Sequence, residues 1–168
     1  MLHVVYSLCY RLLLPFAMAY LWWQTRRNGG SNKGWQQRLG LVAPTEQPVI
    51  WIHAVSVGET IASAPLVKAI LDRRPDLPVL VTAMTATGAA QARSLFGDRA
   101  LYAYAPFDTP GAVRRFVRRV KPRALVIMET ELWPNLIVET SRRQCPVFLV
   151  NARLSERSAR GYRRIGGW

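Results

Sequence analysis

Acidic side chains are scarce in this chain: ten Asp and Glu stand against 23 Lys and Arg in 168 residues, a formal net charge of +13. The excess of cations favours phosphate-rich partners, whether nucleic acid, anionic lipid or a phosphorylated ligand. Cysteine is nearly missing. Cys9, in an apolar N-terminal run, and Cys145, before an expected strand, are placed for neither a disulfide framework nor a metal site and suit a reducing cytoplasmic setting. No group of side chains has metal-ligand spacing, so neither a metal centre nor another cofactor is expected, and His53 near a strand end reads as structural. Internal repeats and low-complexity tracts are absent too. Half of the residues are hydrophobic, enough for a core and too many for a disordered chain. A chain of this length holds one domain of ordinary size, so a function that needs two must take the second from elsewhere.

Residues 1–23 carry one formally charged side chain, Arg11, and end in the aromatic pair Trp22 and Trp23. At about 1.5 Å per residue a helix of this length reaches across a hydrocarbon core of roughly 30 Å. Arg11 and Pro15 weaken it as a span, so crossing the membrane and lying on its surface are both open, as is an amphipathic helix packed on the soluble body. No small-residue cleavage site follows. Arg26, Arg27, Lys33 and Arg38 come next, with no acid before Glu46. The segment is therefore expected to be an uncleaved anchor with the rest of the chain on the cytoplasmic side.

Residues 24–47 show no clear period and read as a basic juxtamembrane connector; residues 48–168 read as the globular domain. Apolar runs at 49–54, 79–83, 101–105, 124–128 and 147–150 alternate with helical patterns at 60–73, 88–96, 110–120 and 132–142. Short, wholly apolar strands separated by helices predict an α/β domain with a parallel sheet covered on both faces, and right-handed crossovers make it Rossmann-like. Ligands in such sheets collect at the carboxyl ends of the strands.

The first such loop, residues 53–60, reads His-Ala-Val-Ser-Val-Gly-Glu-Thr. It has one glycine and no nearby lysine, so it is neither a Walker loop nor a dinucleotide fingerprint. Glu59 stands where an anion-binding turn would avoid negative charge. It suits a general base steadied by the helix dipole, and equally a first-turn capping acid. The fourth strand runs into Met-Glu-Thr-Glu-Leu-Trp-Pro-Asn at 128–135, with Pro134 fitted to a first helical turn. Glu129 is then the acid at the strand tip and Glu131 the better helix-start acid. After the fifth strand, Asn-Ala-Arg-Leu-Ser at 151–155 offers Arg153 to a phosphate, with Ser155 and Ser158 as caps for a following helix. Arg157, Arg160, Arg163 and Arg164 recur at helical spacing, as do Arg114, Arg115, Arg118 and Arg119, and read as basic, solvated helix faces.

These strings, together with Val-Thr-Ala-Met-Thr-Ala-Thr-Gly at 81–88, resemble the 3-deoxy-D-manno-octulosonic acid (Kdo) transferase family and occur in its order. The resemblance runs from the N-terminal segment to Trp168. It implies the N-terminal, acceptor-holding half of a GT-B glycosyltransferase, a fold of two Rossmann-like domains. It implies inverting, metal-independent transfer of Kdo from CMP-Kdo to the lipid A precursor at the cytoplasmic face of the bacterial inner membrane, with anionic lipids as neighbours. Matched residue by residue, Glu59 takes the place of the family's general base and Glu129 that of a carboxylate that assists the transition state. Ser56, Gly58, Glu131, Asn135 and Arg153, on the same loops, are the candidate acceptor contacts. The second domain, which would hold CMP-Kdo, is expected beyond Trp168, and residues 1–168 alone are expected to bind without catalysing. Two other readings stand beside this one: a different GT-B enzyme with a lipid acceptor, and a basic membrane-tethered binding module without chemistry. Nucleic acid is not an expected partner, because the basic residues lack interleaved aromatics and no nucleic-acid motif appears.

Overall fold

The computed structural model of the chain describes residues 2–27 and 34–152, so Arg153, Ser155, Ser158 and the arginines beyond them lie outside the described residues. Five parallel strands, β1 (Val49–His53), β2 (Val79–Ala83), β3 (Leu101–Tyr104), β4 (Pro122–Met128) and β5 (Val147–Val150), form one sheet in the order β3-β2-β1-β4-β5. Helices α3 (Val57–Arg73), α4 (Ala86–Phe96), α5 (Pro110–Val120) and α6 (Pro134–Ser141) are the crossovers. The reversal of strand order beside β1 is that of a doubly wound sheet, and it sets β1 and β4 next to each other with His53 opposite Ile127.

Side chains alternate across the pleat, and the core divides accordingly. Val49 and Trp51 of β1 and Leu125 and Ile127 of β4 face one way, packing with Val113, Phe116, Val117 and Val120 of α5 and Leu136 of α6. Ile52, Val126 and Met128 face the other way, against Val67 and Leu71 of α3 and Ala92 and Phe96 of α4. The strands are apolar on both faces because both faces are covered. Each crossover helix but one begins on its own hydroxyl: Ser56, Thr85 and Thr109 cap α3, α4 and α5.

Residues 34–47, expected to be a connector without regular structure, include the short α2 (Trp35–Arg38) and pack on the domain. The basic side of α5 holds them. Arg115 donates from Nε and Nη2 to the carbonyl of Leu39 at 2.9 and 2.7 Å, and Arg119 donates from Nη1 to that of Val42 at 3.1 Å. Arg114 forms a forked pair with the nearly buried Glu139, at 3.1 and 3.0 Å. Three of the four arginines read as a solvated face thus bind protein groups. Gly40, at φ +82°, passes so close to α5 that a Cβ would lie 2.1 Å from the carbonyl oxygen of Ala112.

The N-terminal segment forms α1 (Leu2–Arg27), a helix of 26 residues with Pro15 inside it. Among the described residues no helix is long and apolar enough to cross a membrane, which goes against the spanning alternative among those the sequence left open. Polar and charged side chains dilute the run. What α1 does present is a row of large, exposed apolar side chains: Val5, Leu8, Leu12, Leu13, Phe16, Tyr20, Trp22 and Trp23.

Candidate active site at the carboxyl edge

The loops that follow β1 to β4 meet at the carboxyl edge of the sheet. After β1, Ser56 is the N-cap of α3, and its Oγ accepts the N–H of Glu59 at 3.2 Å. Glu59 returns the bond: its Oε2 accepts the N–H of Val55 at 2.8 Å. The pair is a capping box shifted by one residue, and it holds Glu59, only 5% exposed, at the first turn where the helix dipole favours a carboxylate. One oxygen of the carboxylate is thus engaged in the cap. Ser56 and Gly58 are exposed above it. No steric reason makes residue 58 a glycine, because an added Cβ would meet only Ser56 Oγ, at 3.8 Å.

After β4 the backbone turns at once. Glu129 adopts φ +56°, a left-handed conformation that costs a non-glycine residue free energy, and its N–H bonds to the carbonyl of Val150 at 2.8 Å. The half-buried Glu129 thus has its backbone held at the tip of the strand beside β1. Asn151, at the end of β5, has the same φ of +56°. Glu131 does not start the helix: its Oε2 accepts the indole N–H of Trp133 at 2.8 Å. Trp133 meets the ring of His53 edge to face, 4.7 Å between centroids. His53 Nδ1 lies 3.2 Å from Thr82 Oγ1, which also accepts the indole N–H of Trp51 at 2.9 Å. Complete burial pushes the His53 pKa down to about 4, so the ring is neutral at ordinary pH.

Asn135 is wholly buried, with its amide engaged inside the protein. Its Nδ2 donates to the Asp108 carbonyl at 2.6 Å, and its Oδ1 accepts from Ser7 Oγ at 2.9 Å. Any effect on an acceptor must run through the position of α6. No sequence argument singled out Asp108, on the loop after β3, yet its carboxylate accepts the backbone N–H groups of Asn135 at 3.2 Å and Leu136 at 2.8 Å. That bond supplies the N-terminal cap α6 lacks, because Trp133 caps nothing with its side chain and Pro134 has no N–H. Burial raises the Asp108 pKa, while the bond from the Tyr6 hydroxyl and the two N–H groups pull it back. The signal available in the sequence was slight: an Asp two residues before the Pro that opens α5.

Arg38 was also unforeseen in this role. It is 8% exposed, donates from Nη2 to the carbonyl of Met84 at 2.6 Å and stacks over the ring of Tyr104 at 4.5 Å, so it joins α2 to the ends of β2 and β3. Burial lowers its pKa below the usual arginine value. Among the described residues no group of three or more His, Cys, Asp or Glu is arranged to hold a metal ion. The edge thus carries a buried, hydrogen-bonded carboxylate, Glu59, on one strand loop and, on the adjacent one, Glu129 with a strained backbone.

Residues 33–168 match the family model described as 3-deoxy-D-manno-octulosonic-acid transferase (kdotransferase). A 3-deoxy-D-manno-octulosonic acid transferase of Bordetella pertussis is 43% identical over 178 residues, covering 98% of this chain and 39% of that protein. One of Haemophilus influenzae is 45% identical over 116 residues, 69% of this chain and 27% of the relative. A probable mitochondrial 3-deoxy-D-manno-octulosonic acid transferase of Arabidopsis thaliana is 36% identical over 146 residues, 86% of this chain and 33% of the relative. The chain therefore spans two fifths or less of the length of these relatives.

Proposed function

The chain belongs to the Kdo transferase family, and from that premise we propose that it forms the acceptor-holding part of an enzyme that transfers Kdo from CMP-Kdo to the lipid A precursor. In this reading Glu59 takes the proton from an acceptor hydroxyl as its oxygen bonds to the anomeric carbon of Kdo. The bond to CMP breaks on the opposite side, the configuration inverts, and no metal is needed. Glu129 stands beside the anomeric centre as it gains positive character and assists the transition state. Ser56 and Gly58, exposed above Glu59, contact the acceptor, with Arg153 reaching one of its phosphates. Glu131 and Asn135 act on the acceptor through the turn and helix they fix. The exposed apolar row of α1 lies on the cytoplasmic face of the inner membrane beside anionic lipids, and donor binding falls to a second domain.

The observation that carries the proposal is the Ser56–Glu59 capping box, which fixes a buried carboxylate with one oxygen engaged at the edge where this sheet class binds ligands. The test is incubation of the complete gene product with CMP-Kdo and lipid A precursor, read by mass spectrometry of the lipid. A product heavier by Kdo is expected. Transfer from a different nucleotide sugar, or acceptor binding with no transfer from any donor, would replace the proposal with one of its two competitors.

A further inference from the structure

Helix α1 exposes its large apolar side chains and buries a small polar one. Leu12, Leu13 and Phe16 are 65 to 75% exposed, whereas Ser7 is 7% exposed. A helix that served only as a tether would have no use for hydroxyls on its docked side. Yet Ser7 donates to Asn135 Oδ1 at 2.9 Å, the Tyr6 hydroxyl bonds to the Asp108 carboxylate, and the Tyr10 hydroxyl takes a bond from the Asp108 backbone. Burial, and then Asp108, push the Tyr6 pKa far up, so its hydroxyl stays a donor.

The two groups that α1 contacts are the ones that begin α6. Asp108 binds the N–H of Asn135 and of Leu136, and Asn135 ties its own amide back to the Asp108 carbonyl. Directly upstream, Trp133 opens α6 and is pinned by Glu131 and by His53, and four residues earlier stands Glu129 in its strained conformation. With α1 in place but its hydroxyls removed, the buried Asn135 oxygen loses its donor and Asp108 loses its hydroxyl, both in a region that water reaches poorly. The start of α6 must then rearrange to satisfy them, and the 129–133 turn is continuous with it.

We propose that Tyr6 and Ser7 are positioning residues of the transferase: seating of α1 on Asp108 and Asn135 sets the start of α6 and, through it, Glu129. The inference rests on the reading that Glu129 acts in the reaction. The test uses the complete gene product as wild type, as the double variant Tyr6→Phe, Ser7→Ala, and as Ser7→Thr, which keeps the hydroxyl. Three quantities are measured: kcat and KM in detergent, co-sedimentation with anionic phospholipid vesicles, and amide hydrogen exchange over residues 129–136. The double variant is expected to exchange at least tenfold faster there and to lose at least tenfold in kcat, with vesicle binding within twofold of wild type and any rise in KM smaller than the fall in kcat; Ser7→Thr stays near wild type. Unchanged exchange overturns the coupling, and faster exchange with unchanged kcat overturns the positioning role. A fall in kcat that only parallels lost vesicle binding also overturns it, because tethering then suffices. A wild type that transfers nothing defeats the functional reading instead, and the exchange arm still decides whether α1 sets the turn.

Discussion

Replacing Glu129 by glycine should stabilise the protein while it removes activity. At φ +56° Glu129 lies in the left-handed region, which costs an L-residue roughly 1–2 kcal/mol. Glycine relieves that strain, keeps the N–H bond to Val150 and creates no clash. The greater freedom of glycine in the unfolded chain returns about 0.5–1 kcal/mol of the gain. A net stabilisation of about 0.5–1 kcal/mol is expected, which for a protein of this size raises the melting temperature by roughly 1–4 °C. If the carboxylate assists the transition state, transfer falls by about a hundredfold, or roughly 2.7 kcal/mol in the activation barrier. Denaturant unfolding, thermal melting and transfer kinetics on wild type and Glu129→Gly test both halves. A loss of more than about 1 kcal/mol of stability on going to glycine would show that the carboxylate holds the turn together. A more stable variant with full activity would show that the strain has nothing to do with chemistry.

Glu59 should separate its two duties by substitution. Glu59→Gln still accepts the Val55 N–H and should unfold within about 0.5 kcal/mol of wild type, whereas Glu59→Ala should cost about 1–2 kcal/mol in urea titrations. His53 predicts an acid-sensitive stability: its pKa lies near 4 in the fold against an ordinary 6.5, so the unfolded chain takes up the proton first. Its contribution is complete above about pH 6.5 and is lost as pH falls toward 4, on the order of 3 kcal/mol in all. Unfolding free energies measured at pH 7 and pH 4.5 for wild type and His53→Phe should differ in slope accordingly. Arg114 and then burial act in opposite senses on Glu139, and the net effect holds its carboxyl below the usual range. Its stabilisation is therefore present at neutral pH and lost as pH falls through that lowered value. Arg114→Ala should lower stability at pH 7, Arg142 remaining as a partner, and should have much less effect near pH 3.

The sheet was legible because its physics is local. Apolar runs of strand length between helical periods placed β1 to β5 within a residue or two, whereas α3 and α4 begin at Val57 and Ala86, earlier than the expected 60 and 88, on hydroxyl caps the periodicity did not mark. The loop strings carried the family. What could not be read was held by polar contacts between residues far apart in the chain. Asp108 caps a helix 27 residues away and Ser7 reaches Asn135 across 128 residues, and no periodicity marks such pairs. The same cause hid the partners of several charges. Arg115 and Arg119 have the spacing of a solvated basic face, yet they bind the carbonyls of Leu39 and Val42. Glu131 has the place of a helix-start acid, yet it holds an indole while Asp108 does the capping. For Glu59 the sequence left base and cap as alternatives, and the fold explains why: the bond that caps the helix is the one that fixes the carboxylate at the sheet edge.

The central claim is tested most directly by single-turnover transfer from CMP-Kdo to lipid A precursor, comparing the complete wild-type gene product with Glu59→Gln. The account predicts that the folded variant binds the acceptor as wild type does and transfers Kdo at least about a hundredfold more slowly. A Glu59→Gln protein that transfers Kdo at the wild-type rate would leave Glu59 as a helix cap and contradict the account.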